Sequence, residues 1–215
     1  MAGANLRLTP RLLLSGYAQG IFPMALSQGD DELHWFDPPR RGVLPLDRFH
    51  ASRSLRRTIA RGDWRATLNA DFASTVDACA AQDETWINAP LRRLYLDLHD
   101  LGHAHSVEVW QGDDLAGAAF GVSLGGAFFG ESMVSLRTGG SKAALWWLTD
   151  QLTRCGFTLL DTQYLTPHLA SLGGAEIPRA AYRRALADAL PRAADLTRLP
   201  LASSQEIRQR ITQTS

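Results

Sequence analysis

An α+β fold is what this 215-residue sequence predicts, and three observations carry the prediction. Residues 52–101 hold three stretches with helical spacing and capping signals, residues 106–134 switch to alternating or continuous apolar runs, and 141–155 is an amphipathic helix leading into one more buried run. Helices, then three antiparallel strands, then a helix and a further strand imply a mixed sheet with helices packed on it. Strands that splay apart in such a sheet leave room for an acyl-transfer site.

Residues 1–50 read as a small irregular lobe, because Gly16, Gly20, Pro23, Gly29, Pro38, Pro39, Gly42 and Pro45 punctuate short apolar pieces. Thr9-Pro10 opens a helix through Leu14, with Thr as cap and Pro at the first helical position. Residues 51–202 form the main domain. Ser52 caps a basic helix to Ala60 that Gly62 ends; Asp71 or Phe72 to Ala81 is a second helix, and Pro90 to Leu101, closed by Gly102, a third. Ser106–Trp110 and Leu115–Val122 form an antiparallel pair joined at Gly112-Asp113, with Ala127–Val134 as the next strand. Ser141–Cys155 is the amphipathic helix, Gly156 its stop, and Phe157–Gln163 a buried strand. Short and longer helices follow at His168–Leu172 and Arg179–Leu190, and residues 203–215 are expected to be a polar, frayed tail.

With 45% hydrophobic and 20% charged residues the chain can bury one good core. It has no apolar run of the ~18 residues a membrane span needs and no secretory leader, so a cytoplasmic address without a membrane partner is expected. Cys79 and Cys155 have no nearby cysteine, so neither a disulfide framework nor a zinc ribbon is implied. His103 and His105 alternate, but no third ligand stands at a recognisable spacing, so no metal is expected. Formal charge is zero, yet eight arginines and only two acids lie between Arg40 and Arg65. Arg53, Arg56, Arg57 and Arg61 share one helix face, a stripe suited to a phosphate backbone or to plain solvation.

Glu131, Asp161 and Gln163 stand among Phe, Leu and Met in strands that should be apolar. Burying such groups costs roughly 1–3 kcal/mol each without compensating hydrogen bonds, which marks either a site or a structural network. Asp161 and Gln163 alternate onto one strand face and can touch each other or one substrate.

The motifs Gly20-Ile21-Phe22-Pro23-Met24, His34-Trp35-Phe36-Asp37-Pro38, Arg40-Arg41-Gly42-Val43-Leu44-Pro45, Thr85-Trp86-Ile87, Phe129-Gly130-Glu131-Ser132-Met133 and Asp161-Thr162-Gln163 run in one order. With His103–Glu108, Ser141-Lys142 and His168–Gly173, they resemble the leucyl/phenylalanyl-tRNA–protein transferase family over about residues 6 to 185. The resemblance implies an N-acetyltransferase-like (GNAT) domain behind the small lobe. It implies transfer of Leu or Phe, with Met as a further donor, from aminoacyl-tRNA to the N-terminal amine of proteins beginning with Arg or Lys, which marks them for N-end-rule degradation.

By similarity Asp161 polarises Gln163, which contacts the reacting amine, and Glu131 either accepts hydrogen bonds from the terminal adenosine of the tRNA or orients the donor amino group. An amide is a poor base, so Gln163 reads as a positioning group and Asp161 or water as the final proton acceptor. Trp35 and Trp86 would stack on terminal bases, and Arg53, Arg56, Arg57 and Arg61 would meet the tRNA backbone. Leu145, Leu148 and Leu152 share a helix face that, with Ala119, Phe128, Met133 and Leu160, is expected to form the donor side-chain pocket, leaving Leu versus Phe open. The co-substrate is aminoacyl-tRNA, with no metal or diffusible cofactor, and nothing demands more than a monomer. Arg137-Thr138-Gly139-Gly140-Ser141-Lys142 stands where the superfamily binds acetyl-coenzyme A, and Lys142 takes a position that needs a small residue. A coenzyme-A-dependent N-acetyltransferase and a non-catalytic RNA-binding module are the competing readings.

Overall fold

The computed structural model describes residues 8–25, 32–83 and 85–211; the expected turn at Gly29 and the last four residues of the expected tail lie outside these. Helix α1 (Pro10–Ala18) begins at Thr9, whose hydroxyl accepts the Leu12 N–H, and runs a turn beyond the expected Leu14 because Leu13 and Tyr17 bury one face. Strands β1 (Phe22–Ala25) and β2 (Leu33–Phe36) pair antiparallel as a separate ribbon. β3 (Arg40–Val43), α2 (Arg53–Arg61), β4 (Trp64–Leu68), α3 (Phe72–Ala80) and α4 (Ala89–Asp100) follow. Ser52, Asp71 and Asn88 cap the three helices through their side chains.

The remaining elements are β5 (Ala104–Gln111), β6 (Asp114–Leu124), β7 (Ala127–Ser135), α5 (Gly140–Arg154), β8 (Leu159–Gln163), α6 (Pro167–Ala170), β9 (Ala175–Pro178), α7 (Arg179–Ala189) and α8 (Ser204–Ile211). The main sheet has the order β4-β5-β6-β7-β8-β3-β9. Every pairing in it is antiparallel except β7 with β8, whose parallel register requires the crossover that α5 provides. The mixed α+β sheet is therefore as expected.

Three features depart from the sequence reading. β1, β2, β3, β4 and β9 are short pieces of four or five residues, too brief to show a period, and sequence spacing missed them. β3 belongs to the stretch expected as a separate lobe, yet it sits between β8 and β9 in the main sheet. The expected frayed tail carries α8. Ser203 and Glu206 form a reciprocal capping box, with Ser203 N–H to Glu206 Oε2 at 2.8 Å and Glu206 N–H to Ser203 Oγ at 3.3 Å, and Ile207 is buried.

Two apolar layers flank the sheet. One face holds α5 with Leu145, Leu148, Leu152 and Trp147 against Val107, Ala119, Phe128 and Leu160, and takes Leu55 of α2 and Ile207 of α8. The opposite face packs Leu13 and Tyr17 of α1, Val76 of α3, Tyr95 of α4 and Tyr182 of α7 on Phe120, Val122 and Phe129. β7 and β8 pair only through Ala127–Leu159, Phe128–Leu160 and Phe129–Asp161, and beyond these pairs they part. The opening between them is where the site lies.

Candidate active site

β8 carries the centre of the site. Its Asp161 side chain is wholly buried and meets Arg41 of β3 in a forked ion pair: Nε donates to Oδ1 at 2.9 Å and a terminal nitrogen donates to Oδ2 at 2.6 Å. The Tyr182 hydroxyl donates to Oδ2 at 2.7 Å, and the backbone N–H of Gln163 donates to Oδ1 at 2.8 Å. Arg41 is sandwiched between the rings of Phe22 and Tyr182, each 4.4 Å from its guanidinium carbon, and its remaining nitrogen donates to the Gly20 carbonyl at 2.9 Å. Burial would lower the Arg41 pKa, but the hydrogen bonds and charge of Asp161 leave it raised. Burial and the Asp161 carboxylate together push the Tyr182 hydroxyl upward.

The bond from Asp161 to the Gln163 N–H closes a tight turn in which Gln163 has φ of +63°, a left-handed conformation rare outside glycine. Gly42 opposite makes the turn possible, because a Cβ there would lie 2.5 Å from the Tyr164 carbonyl carbon. The turn carries the Gln163 side chain into the gap left by β7.

On the other side of that gap a bulge displaces Glu131. β6 pairs Phe120 with Ser132 and then Gly121 with Gly130, so Glu131 is an extra residue in β7. Simple alternation would put Glu131 and Met133 on one face. Instead Met133 packs toward the α5 layer while Glu131 reaches the layer of α1 and α4. There its two oxygens accept the hydroxyls of Tyr17 at 2.7 Å and Tyr95 at 2.6 Å. Burial raises the Glu131 pKa to about 7, while Tyr95, Tyr17 and the Gln163 amide pull it down and the Asp161 charge adds to the rise.

A cavity of about 290 Å³ occupies the opening between β7 and β8. Five of the seven residues expected for the donor pocket line it: Ala119, Met133, Leu145, Leu148 and Leu160. Phe128 and Leu152 do not. Phe128 turns its ring edge-on to Phe157, and Leu152 lies one helical turn further into the core, so both are packing residues. Met24, Phe120 and Leu169 complete the apolar wall.

The polar wall is formed by Glu131, Gln163, Thr162 and Trp86. Gln163 Nε2, Thr162 Oγ1 and Trp86 Nε1 are all buried there without a hydrogen bond of good geometry; Gln163 and Trp86 meet Glu131 and Tyr95 only loosely. Leaving a buried donor unsatisfied costs up to about 1–3 kcal/mol, so three such atoms around one cavity mark a place prepared for a polar ligand. Asp161 is absent from the cavity wall; it stands behind Gln163. Trp35, which was paired with Trp86 in the sequence reading, lies elsewhere: its ring covers Gly16 of α1 and is 39% exposed.

The arginine helix is divided. Arg53, Arg57 and Arg61 are exposed, whereas Arg56 is half-buried and donates from Nε to the Ala51 carbonyl at 2.9 Å. Arg56 and Arg57 also border an open groove of about 760 Å³ whose other wall is α8, with Arg208. At the start of α5, where coenzyme A would be held, Gly140 N–H donates to the Arg137 carbonyl and Ser141 N–H to Ser135 Oγ. A Cβ on Gly140 would fall 1.9 Å from the Ala116 carbonyl oxygen, so the glycine serves close helix–sheet packing.

Sequence reasoning missed Arg41, Tyr182, Tyr17 and Tyr95. Arg41 stood in a quoted motif but was counted with the basic stretch that follows it; no spacing signal connects the three tyrosines to strands more than twenty residues away.

Two parting strands, an apolar pocket, and a carboxyl and a carboxamide at its wall suit an acyl-group transferase. Comparison with known proteins narrows this class. The family model for leucyl/phenylalanyl-tRNA protein transferase matches residues 43–187, and that for the N-terminal domain of the same transferase matches residues 7–39. A leucyl/phenylalanyl-tRNA–protein transferase of Cereibacter sphaeroides (strain ATCC 17025) is 64% identical over 183 residues, 85% of this chain and 86% of its own length. Those of Paracoccus denitrificans and Ruegeria pomeroyi are each 56% identical over 208 residues, 97% of this chain and 98% and 99% of their own. The chain belongs to the leucyl/phenylalanyl-tRNA protein transferase family.

Proposed function

We propose that this protein transfers Leu or Phe from aminoacyl-tRNA to the N-terminal amine of proteins that begin with Arg or Lys, and so marks them for N-end-rule degradation. The observation that carries the reading is the coincidence of an apolar pocket with three poorly satisfied buried polar atoms and Glu131 around one cavity. Leu145, Leu148, Ala119, Met133 and Leu160 accept the donor side chain, Gln163 places the incoming amine, and Trp86 meets the terminal adenosine. Aminoacyl-tRNA is already an activated ester, so holding ester and amine in attack geometry supplies most of the catalysis, and no metal or diffusible cofactor takes part. Arg53, Arg57 and Arg61 meet the tRNA backbone. The protein works as a monomer in the cytoplasm; among the described residues no helix is long and apolar enough to cross a membrane.

Transfer of labelled leucine from charged tRNA to an Arg-initiated peptide tests this directly. The expected result is ribonuclease-sensitive transfer that an N-acetylated peptide abolishes and a Ser-initiated peptide weakens. Acetyl transfer from acetyl-coenzyme A without tRNA would replace the reading with an N-acetyltransferase.

A further inference from the structure

The peptide-forming step needs a group that removes a proton from the attacking amine, and two carboxylates stand near the amine's place. Asp161 is the less able. Its oxygens already accept Arg41 twice, Tyr182 and the Gln163 N–H, it is fully buried, and it does not reach the cavity. These four hydrogen bonds, two of them from Arg41, occupy both oxygens. Glu131 lines the cavity, and each of its oxygens accepts one tyrosine hydroxyl, which leaves acceptor capacity on both.

Resting on the transfer activity proposed above, we propose that Glu131 is the proton acceptor of the transfer step and that Asp161 is a positioning residue which holds Gln163 in its left-handed turn. The lone pair of the neutral acceptor amine forms the N–C bond to the ester carbonyl carbon, and Glu131 takes one N–H proton. The bond from that carbon to the ribose oxygen breaks with its electron pair on oxygen, and Glu131 returns the proton there. Ester and amine become amide and alcohol, and Glu131 is regenerated.

The surroundings of Glu131 suit the task. Tyr17 comes from α1 and Tyr95 from α4, while Asp161 and Gln163 face it from β8, with Arg41 of β3 and Tyr182 of α7 behind them. α3 contributes Cys79, whose thiol interacts with Ser132 and is pushed up to about 12 by burial. Among the described residues no cation pairs directly with Glu131, and burial raises its pKa to about 7, near the pH at which a general base works best.

The test measures kcat/KM for an Arg-initiated peptide against pH at saturating leucyl-tRNA, where a role in tRNA binding is silent. Below pH ~7 the wild-type logarithm should rise with a slope of about two, one for the peptide amine and one for Glu131. Glu131→Gln should lower the rate by about 10²–10⁴-fold at pH 8 and reduce the slope to about one. Tyr95→Phe removes one donor to the carboxylate and keeps its charge, so the slope of two should persist with the limb moved to higher pH. A slope of two in E131Q, with only a raised KM for leucyl-tRNA, overturns the assignment, as does an unmoved limb in Y95F. Absence of any wild-type transfer strikes instead at the function on which the inference rests.

Discussion

The Asp161 carboxylate accepts the backbone N–H of Gln163 at 2.8 Å, two residues further along the same strand, while the same group holds Arg41 in a buried fork. The position of the amide at the cavity thus depends on an ion pair that never touches the cavity.

Arg41→Ala should leave the Asp161 charge buried and unpaired, and should cost about 3–5 kcal/mol in urea unfolding. Arg41→Lys keeps the charge but loses the fork and the stacking between Phe22 and Tyr182, so it should fall between wild type and Ala. An R41K variant as stable as wild type would contradict this account.

Gln163 has φ of +63°, so Gln163→Gly should match or exceed wild-type stability while leucine transfer falls. Gln163→Val should lose activity and also destabilise by about 1–3 kcal/mol, because a β-branched residue resists this conformation. Denaturation midpoints beside transfer rates separate the two effects.

Glu131 carries a stability cost that depends on pH. Its folded pKa of about 7 exceeds the ordinary value, so the native state binds an extra proton between about pH 4.5 and 7, and the stability present below that window is lost as pH rises through 7. The loss should reach about 3 kcal/mol by pH 8. Glu131→Gln should therefore flatten the unfolding free energy from pH 5 to 8, raising stability at pH 8, the same pH at which the variant should transfer least relative to wild type.

Ala119 lies in the pocket wall, so Ala119→Phe should shorten the space for the donor side chain and reduce transfer of Phe more than of Leu. A change of about 10–200-fold in the ratio of the two rates is the size such a pocket can impose. Competition between leucyl- and phenylalanyl-tRNA measures it.

Exposed arginines should report on phosphate contact through salt. Replacing Arg53, Arg57 or Arg61 by Ala should each reduce the slope of log affinity against log salt by about 1. Arg56→Ala should act more on stability, because that side chain ties the helix start to the Ala51 carbonyl.

How legible the site was depended on how far each signal travels along the chain. Glu131, Asp161 and Gln163 were visible because a polar residue in an apolar run stands out locally. Leu145 and Leu148 were visible because helical spacing fixes a face; the same spacing wrongly recruited Leu152, since period alone cannot tell pocket from core. Phe128 was brought in only as an apolar residue of the same strand, and alternation could not reveal the bulge that sends Glu131 and Met133 to opposite layers. Arg41, Tyr17, Tyr95 and Tyr182 became meaningful only through pairings that span 21 to 120 residues. The short strands β3 and β9 were hidden for a related reason: their stability comes from a register across the sheet.

The 120 residues between Arg41 and Asp161 also have a consequence for the nascent chain. At roughly 5–20 residues per second the ribosome needs about 6–24 s to deliver the partner after β3 has emerged. For that interval β3 has neither β8 nor β9 to pair with, and its edge and the nearby Phe22 and Leu44 are open to other chains. Pairing of β3 therefore has to wait for late synthesis, which makes this early segment the stretch on which chaperone engagement during translation should concentrate.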